Sequence, residues 1–290
     1  MSAVLETSAL TKRFGKNAAL RECDLSLPSG KVIGLVGPNG AGKTTLLQLA
    51  VGLRTPTSGA IRVLGLSPRE ETVALLARVG YVGQDRPLYS DLTVAEMLEL
   101  GRRLNTSWDG DFARERLARF RILLDRKIRA LSTGQQAQVA LTLALGKRPD
   151  LLLLDEPVAN LDPVARLELL EELMGAVAEA GPTVVLSSNV LSDVERICEY
   201  VAILVDGRVR VAGEIEELER THFLVTGPRP ADVASLGGEV IEVREAQRQL
   251  VALVKGSAPP SDGGNGTVTR QATLEEVVLA YLRSTPREVN

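Results

Sequence analysis

Gly37-Pro38-Asn39-Gly40-Ala41-Gly42-Lys43-Thr44-Thr45 has the spacing G-x-x-x-x-G-K-T. In such a turn small residues let successive backbone N–H groups converge on an anion. The chemistry offered is a grip on nucleotide phosphates, with Lys43 neutralising the β and γ oxygens and the Thr44 hydroxyl suited to Mg²⁺. A second candidate is Leu151-Leu152-Leu153-Leu154-Asp155-Glu156-Pro157, an apolar run that delivers two adjacent carboxylates. Asp155 supplies the oxygen donor that a hard ion prefers, held through water, and Glu156 faces an attacking water. Gln84 follows the run Val79-Gly80-Tyr81-Val82-Gly83. It reads either as a ligand residue at a strand's carboxyl end or as an unassigned surface glutamine.

The elements that must carry these residues can be read from the pattern. Lys31-Val32-Ile33-Gly34-Leu35-Val36 predicts a short strand before the glycine-rich turn, and Thr45-Leu46-Leu47-Gln48-Leu49-Ala50 continues as a helix whose N-terminal dipole favours anions. Pro149 and Pro157 limit the four leucines to strand length. Ala159-Asn160-Leu161-Asp162-Pro163 is a turn, followed by a helix over 164–178, a buried strand over 183–187 and a hairpin-like run over 201–209. Strands and helices alternating in this way imply a largely parallel sheet with right-handed crossovers, an α/β core.

Three other regions differ in texture. Residues 3–27 read as short antiparallel strands broken by a turn over 12–17, with Phe14 in the turn either as a stacking face for adenine or as a satellite core residue. Residues 92–148 carry helical periodicity, and Arg102, Arg103, Arg114, Arg116, Arg119 and Arg121 there read as a solvated face, with an acidic partner as the alternative. Within this insertion Leu131-Ser132-Thr133-Gly134-Gln135-Gln136 leads into an apolar helix over 139–145. Ser132 and Gln135 have capping-box spacing, and an exposed helix start is also an anion site. From about residue 221 a small α+β appendage is expected: loops over 227–230 and 256–264, a strand over 250–254 and a helix over 274–282. Its His222, the chain's one histidine, has no second imidazole or cysteine near it in sequence and is assigned no chemistry.

Composition narrows the function classes. A chain of 290 residues, 44% hydrophobic and 24% charged, can bury a large domain and a smaller one. Its formal net charge of -3 argues against a general nucleic-acid binder. Cys23 and Cys198 fit no ligand spacing and read as reduced buried thiols of a cytosolic protein. The start lacks a basic and apolar leader, and no run approaches the about 18 apolar residues of a membrane span, so any membrane role must come through a partner.

Phosphate loop, Gln84, the 131–135 stretch, the Asp155-Glu156 strand and Asp162, in this order over residues 3–220, resemble the ATP-binding subunit of ABC transporters. The resemblance implies an ABC ATPase domain over 1–220, with its β subdomain and a helical subdomain at about 92–148, and a small C-terminal domain over 221–290. It implies that Phe14 stands where the adenine-stacking aromatic, usually tyrosine, is found. Gln84 matches the glutamine that contacts Mg²⁺ and moves with the membrane partner, and Glu156 the carboxylate that orients or deprotonates water. Leu131-Ser132-Thr133-Gly134-Gln135 matches the LSGGQ signature with Thr133 replacing a glycine, and Asp162 matches the dimer-interface aspartate. ATP and Mg²⁺ are the implied cofactors. The implied partners are a second ABC ATPase, identical or related, and a separate polytopic permease that holds the subunit on the inner face of the membrane. One position departs from the family: Ser187-Ser188-Asn189 stands where a switch histidine would end the motif, and Asn189 can contact a γ-phosphate but cannot become cationic.

The form of the core and the short appendage resemble drug-exporter-like (ABC-2 type) subunits more than importers with long regulatory tails. Two other classes compete: a soluble ABC ATPase acting as scaffold or regulator, and a phosphotransferase kinase. The carboxylate pair and the signature helix argue against the kinase, which would need an acceptor pocket in place of a second subunit.

Overall fold

The computed structural model describes residues 3–228, 238–246, 249–260 and 267–284. In chain order, β1 (Ala3–Phe14) and β2 (Asn17–Pro28) form an antiparallel pair, β3 (Val32–Val36) runs into the phosphate loop, and α1 (Lys43–Ala50) leaves it. Then come β4 (Ser58–Val63), α2 (Thr72–Arg78) and β5 (Val79–Val82), followed by α3 (Val94–Leu104), α4 (Gly110–Arg119), a 3-10 turn (Ile128–Ala130) and α5 (Thr133–Leu145). The core resumes with β6 (Leu151–Asp155), α6 (Pro163–Ala180), β7 (Thr183–Ser188), α7 (Leu191–Ile197), β8 (Tyr200–Val205) and β9 (Arg208–Glu214). The chain continues through α8 (Ile215–Thr221), β10 (His222–Pro228), β11 (Glu239–Ala246), β12 (Gln249–Lys255), β13 (Val268–Gln271) and α9 (Leu274–Arg283).

The central sheet has the order β5-β6-β7-β3-β8-β9, parallel except for β9. Every residue of β3, β6 and β7 is buried, which is why these runs are apolar without alternation: helices cover both faces of a parallel sheet. The carboxyl ends of β3, β5, β6 and β7 therefore open along one edge of the sheet, where their loops meet. A second sheet, β2-β1-β4, lies beside it, and the helical region spans α3 to α5. There Trp108 is wedged between α3 and the end of α5. A Cβ on Gly101 would lie 2.8 Å from its ring and one on Gly146 2.9 Å, so both positions need glycine.

The C-terminal sheet, β11-β12-β10-β13, carries α9 against one face. It shares a buried cluster with the central sheet: Val201 and Ile203 of β8 and Leu218 of α8 pack with Leu253, Leu274, Val277 and Tyr281. His222 is fully buried at this junction, its Nδ1 2.8 Å from the Leu218 carbonyl oxygen and its Nε2 3.1 Å from the Tyr281 hydroxyl. Burial pushes its pKa down, consistent with a structural neutral imidazole.

Three local expectations change. The turn over 12–17 shrinks to Gly15 and Lys16, because Arg13 and Phe14 pair with Ala18 and Asn17 in a two-residue hairpin whose Gly15 has φ +59°. Gly227 and Pro228 end β10 rather than forming a loop. Pro228 falls beyond the last β13 partner, Thr226, and a strand end tolerates the missing N–H. The rest of that loop, 229–230, and residues 261–264 of the later one lie outside the described residues. Arg116 is not solvated: it is buried against Glu172 of α6 (3.0 Å) and Gln138 of α5 (2.9 Å). Arg102 and Arg114 do sit on an exposed face, paired with Glu99 and Asp111. Cys23 is buried and Cys198 partly so, both as free thiols, and burial raises the Cys23 thiol to about 11.

Candidate active site

Two glycines of the 37–45 loop, Gly37 and Gly42, are required by their surroundings. A Cβ on Gly37 would lie 2.2 Å from the Leu204 carbonyl oxygen, and one on Gly42, at φ +106°, 2.5 Å from that of Ala19. Gly42 caps α1 without a side chain, so the first N–H groups of the helix stay available to an anion. The β8–β9 turn braces the loop: Gly207 N–H donates to the Ala41 carbonyl (3.1 Å), and Arg21 N–H to that of Gly207 (2.9 Å).

Lys43 is buried inside this frame. Its ammonium donates to the carbonyls of Gly37 (2.7 Å) and Pro38 (3.2 Å) and lies 3.7 Å from the Glu156 carboxylate. Burial pushes its pKa down, and the neighbouring Glu156 and Asp155 carboxylates oppose the shift. Thr44 donates to Asp155 Oδ1 at 3.1 Å, and Gln84 Nε2 lies 3.4 Å from Glu156 Oε2. Lys43, Thr44, Gln84, Asp155 and Glu156 are thus one constellation. Glu156 has left-handed backbone at φ +47°, a conformation costing a non-glycine residue about 1–3 kcal/mol unless its surroundings hold it.

Two residues belong to this constellation that the motif reading did not assign. Ser187 Oγ donates to Asp155 Oδ1 (2.7 Å) and accepts from Glu156 N–H (2.9 Å). Arg86, two residues after Gln84, donates to the carbonyls of Pro157 (3.0 Å) and Ala159 (2.7 Å), tying the Gln84 loop to the chain that leaves Glu156. In the sequence Ser187 is only a polar residue after the apolar run Val184-Val185-Leu186, which by itself does not tie it to Asp155.

The donor set suits Mg²⁺. Asp155 is fully buried, its Oδ1 takes two hydroxyl donors, and its Oδ2 is buried with no hydrogen-bond partner. Among the described residues no cluster of three or more His, Cys, Asp or Glu could cage an ion. Mg²⁺ typically makes do with one or two carboxylates, phosphate oxygens and water, which is what Asp155 Oδ2, Thr44 and Gln84 leave room for.

The remaining candidates lie apart from this centre. Ser132 caps α5 in a capping box: Gln135 N–H donates to Ser132 Oγ and Ser132 N–H to Gln135 Oε1, both at 3.2 Å. Asp162 caps α6, accepting at 3.0 Å from the N–H groups of Val164 and Ala165. These two helix starts meet, since a Cβ on Gly134 would lie 3.2 Å from that of Ala165. Among the described residues no hydrogen bond joins the Ser132 stretch to the phosphate loop. Phe14 is 42% exposed, with the Lys12 ammonium 5.2 Å and the Arg54 guanidinium 5.1 Å from its ring centre. An open cavity of about 590 Å³ is lined by Gly40, Arg13, Lys16, Asn17 and Ala18, and the Phe14 ring is not part of its lining. Asn189 is exposed immediately after β7.

A family model described as "ABC transporter" matches residues 20–159. The Nod factor export ATP-binding protein I of Cupriavidus metallidurans is 31% identical over 311 residues, covering 100% of this chain and 99% of that protein. The chain belongs to the ABC transporter ATP-binding proteins. The daunorubicin/doxorubicin resistance ATP-binding protein DrrA of Streptomyces peucetius is similar at 29% identity, over 95% of this chain and 91% of its own. Among solved structures, the ATP-binding cassette MJ0796, dimeric and bound to ADP and Pi, superposes with a TM-score of 0.64 at 26% identity, covering 72% of this chain and 98% of that one. As an ABC ATPase, the chain is the ATP-binding and ATP-hydrolysing subunit of a transporter. Among the described residues no helix is long and apolar enough to cross a membrane.

Proposed function

We propose that this subunit powers an exporter: two ATPase subunits close on ATP and drive a separate polytopic permease from the cytoplasmic face of the membrane. The observation that carries the reading is the convergence of Lys43, Thr44, Asp155 and Glu156 at the head of α1, with Gln84 reaching Glu156. Relatives named for Nod factor export and for drug resistance, matched over almost the whole chain, support the direction of transport. On this reading residues 1–220 form the ATPase domain and 221–290 a small C-terminal domain.

Each residue then has a task set by its surroundings. The N–H groups at the head of α1 and the Lys43 ammonium bind the triphosphate, and Phe14 offers a face to adenine. Thr44, Asp155 and Gln84 would hold Mg²⁺, which when bound neutralises phosphate charge. Glu156 orients water and takes up its proton, a role suited to a carboxylate held on a fixed backbone. Ser132, Gly134 and Gln135, which among the described residues make no hydrogen bond to their own phosphate loop, would meet the triphosphate of a second subunit, with Asp162 alongside at the interface.

Light scattering tests the arrangement. With Mg²⁺ and a non-hydrolysable ATP analogue the particle mass is expected to double, and the chain should co-purify with a polytopic membrane protein encoded beside it. A nucleotide-loaded sample that stays monomeric with and without that companion would defeat the reading.

Asn189 sets the speed. A neutral amide makes a weaker contact to a γ-phosphate than an imidazolium, by about 1.5 kcal/mol, so Asn189→His is expected to raise turnover about tenfold. Steady-state ATPase assays of the two proteins decide it: equal rates would show that position 189 does not limit hydrolysis.

A further inference from the structure

We infer that Ser187 is a positioning residue for both carboxylates of the active site: its one hydroxyl fixes which Asp155 oxygen is left for the metal ion and locks the backbone from which Glu156 acts. The inference rests on the nucleotide-site reading given above and goes beyond it, since Ser187 is fully buried and its hydroxyl is engaged by Asp155 and the Glu156 N–H.

The geometry leaves the hydroxyl one arrangement. Ser187 stands opposite Asp155 in the parallel β6–β7 register and is fully buried. Its oxygen accepts from Glu156 N–H at 2.9 Å, and its single proton goes to Asp155 Oδ1 at 2.7 Å. Turning the hydroxyl away from Asp155 would leave the aspartate with one donor fewer. Removing the oxygen would leave the Glu156 N–H without its acceptor, an arrangement that buried groups avoid. The polarity is therefore Glu156 N–H to Ser187 O–H to Asp155 Oδ1.

Two consequences follow for the site. Thr44 also donates to Oδ1, at 3.1 Å, but its hydroxyl is the one that the phosphate-loop reading gives to the ion. Once Thr44 turns to that task, Ser187 alone keeps Oδ1 engaged and holds the carboxylate so that Oδ2, buried and unpartnered, remains the oxygen presented. The second consequence concerns Glu156. Its φ of +47° is unfavourable for an amino acid with a side chain, and the Ser187 hydroxyl is the acceptor that ties its N–H in place. From that backbone its carboxylate reaches Lys43 and Gln84. Groups that orient ligand carboxylates commonly matter about 10–100-fold in metal affinity or activity when removed.

The test compares Ser187→Thr with Ser187→Val, near-isosteres of which only threonine keeps the hydroxyl. A fluorescent ATP analogue is titrated into each full-length protein with EDTA and over a range of Mg²⁺, alongside steady-state kinetics and thermal melting. The valine variant is expected to need about tenfold more Mg²⁺ for tight nucleotide binding. Its affinity in EDTA should stay within about twofold of the parent, because the Ser187 hydroxyl is buried and bonded only to Asp155 and the Glu156 N–H. Its kcat should drop about 10–100-fold with KM for ATP little changed, whereas threonine should restore both Mg²⁺ requirement and kcat to within about threefold. Equal Mg²⁺ requirements and kcat in the two variants would overturn the inference, as would a valine variant weakened equally in EDTA and Mg²⁺. If valine prevents folding, a threonine variant that melts like the parent yet has lost the Mg²⁺ response would overturn it too. A parent protein that binds no nucleotide at all would bring down the phosphate-loop reading and this inference together, an outcome distinguishable from indifference at position 187.

Discussion

Lys43→Met is expected to weaken ATP binding about 30-fold or more and to leave no measurable turnover. The ammonium is buried in a frame of backbone carbonyls with a carboxylate 3.7 Å away, so a phosphate bound there meets a charge with little water to screen it. Deleting one partner of a buried, hydrogen-bonded charge pair costs about 2–5 kcal/mol, equivalent to about 30- to several-thousand-fold in affinity. Methionine keeps the length of the aliphatic stem. Burial pushes the Lys43 pKa down, but the substitution also strips the donor from the Gly37 and Pro38 carbonyls and the partner from Glu156, so a lower melting temperature is expected alongside the loss of binding. Calorimetric titration with ATP and a melting curve on the same sample separate the two effects. Binding within about threefold of the parent would mean that the helix dipole and loop amides, not Lys43, dominate the grip.

Glu156→Gln should behave in the opposite way, binding ATP normally and failing to turn it over. Glutamine preserves shape and can still meet Gln84, but it cannot accept a proton from water. General-base removal typically costs about 10²–10⁴ in rate, with affinity expected to stay within about threefold. Single-turnover hydrolysis of bound ATP measures the chemical step directly. A loss smaller than about tenfold would place the proton elsewhere, and the neighbouring Asp155, whose Oδ2 has no partner, would be the next group to examine.

How much of this was readable in advance depends on how local each cause is. The phosphate loop and the Leu151–Asp155 strand carry their own signals: glycines that no side chain could replace, and an apolar run closed off by Pro149 and Pro157. The Ser132–Gln135 box is local in the same sense, its two bonds spanning three residues. Phe14 shows the limit of that logic. Its polar neighbours suggested a broad turn, but pairing with Asn17 carried both strands almost to Gly15. Arg116 shows it more strongly, because what distinguishes it from the exposed arginines of its helix is Glu172 and Gln138, contributed by two other helices. Ser187 and Arg86 were illegible as site residues for the same reason. Their roles depend on strand register and loop meeting loop, with partners 31 and 71 residues away in the chain.

The wedge formed by Trp108 between Gly101 and Gly146 has a practical consequence. It is the only indole in the protein, and it sits where α3 meets the end of α5, the helix that Ser132 opens. Its fluorescence is therefore an intrinsic optical gauge of that junction, able to follow any rearrangement of the helical region without an attached dye.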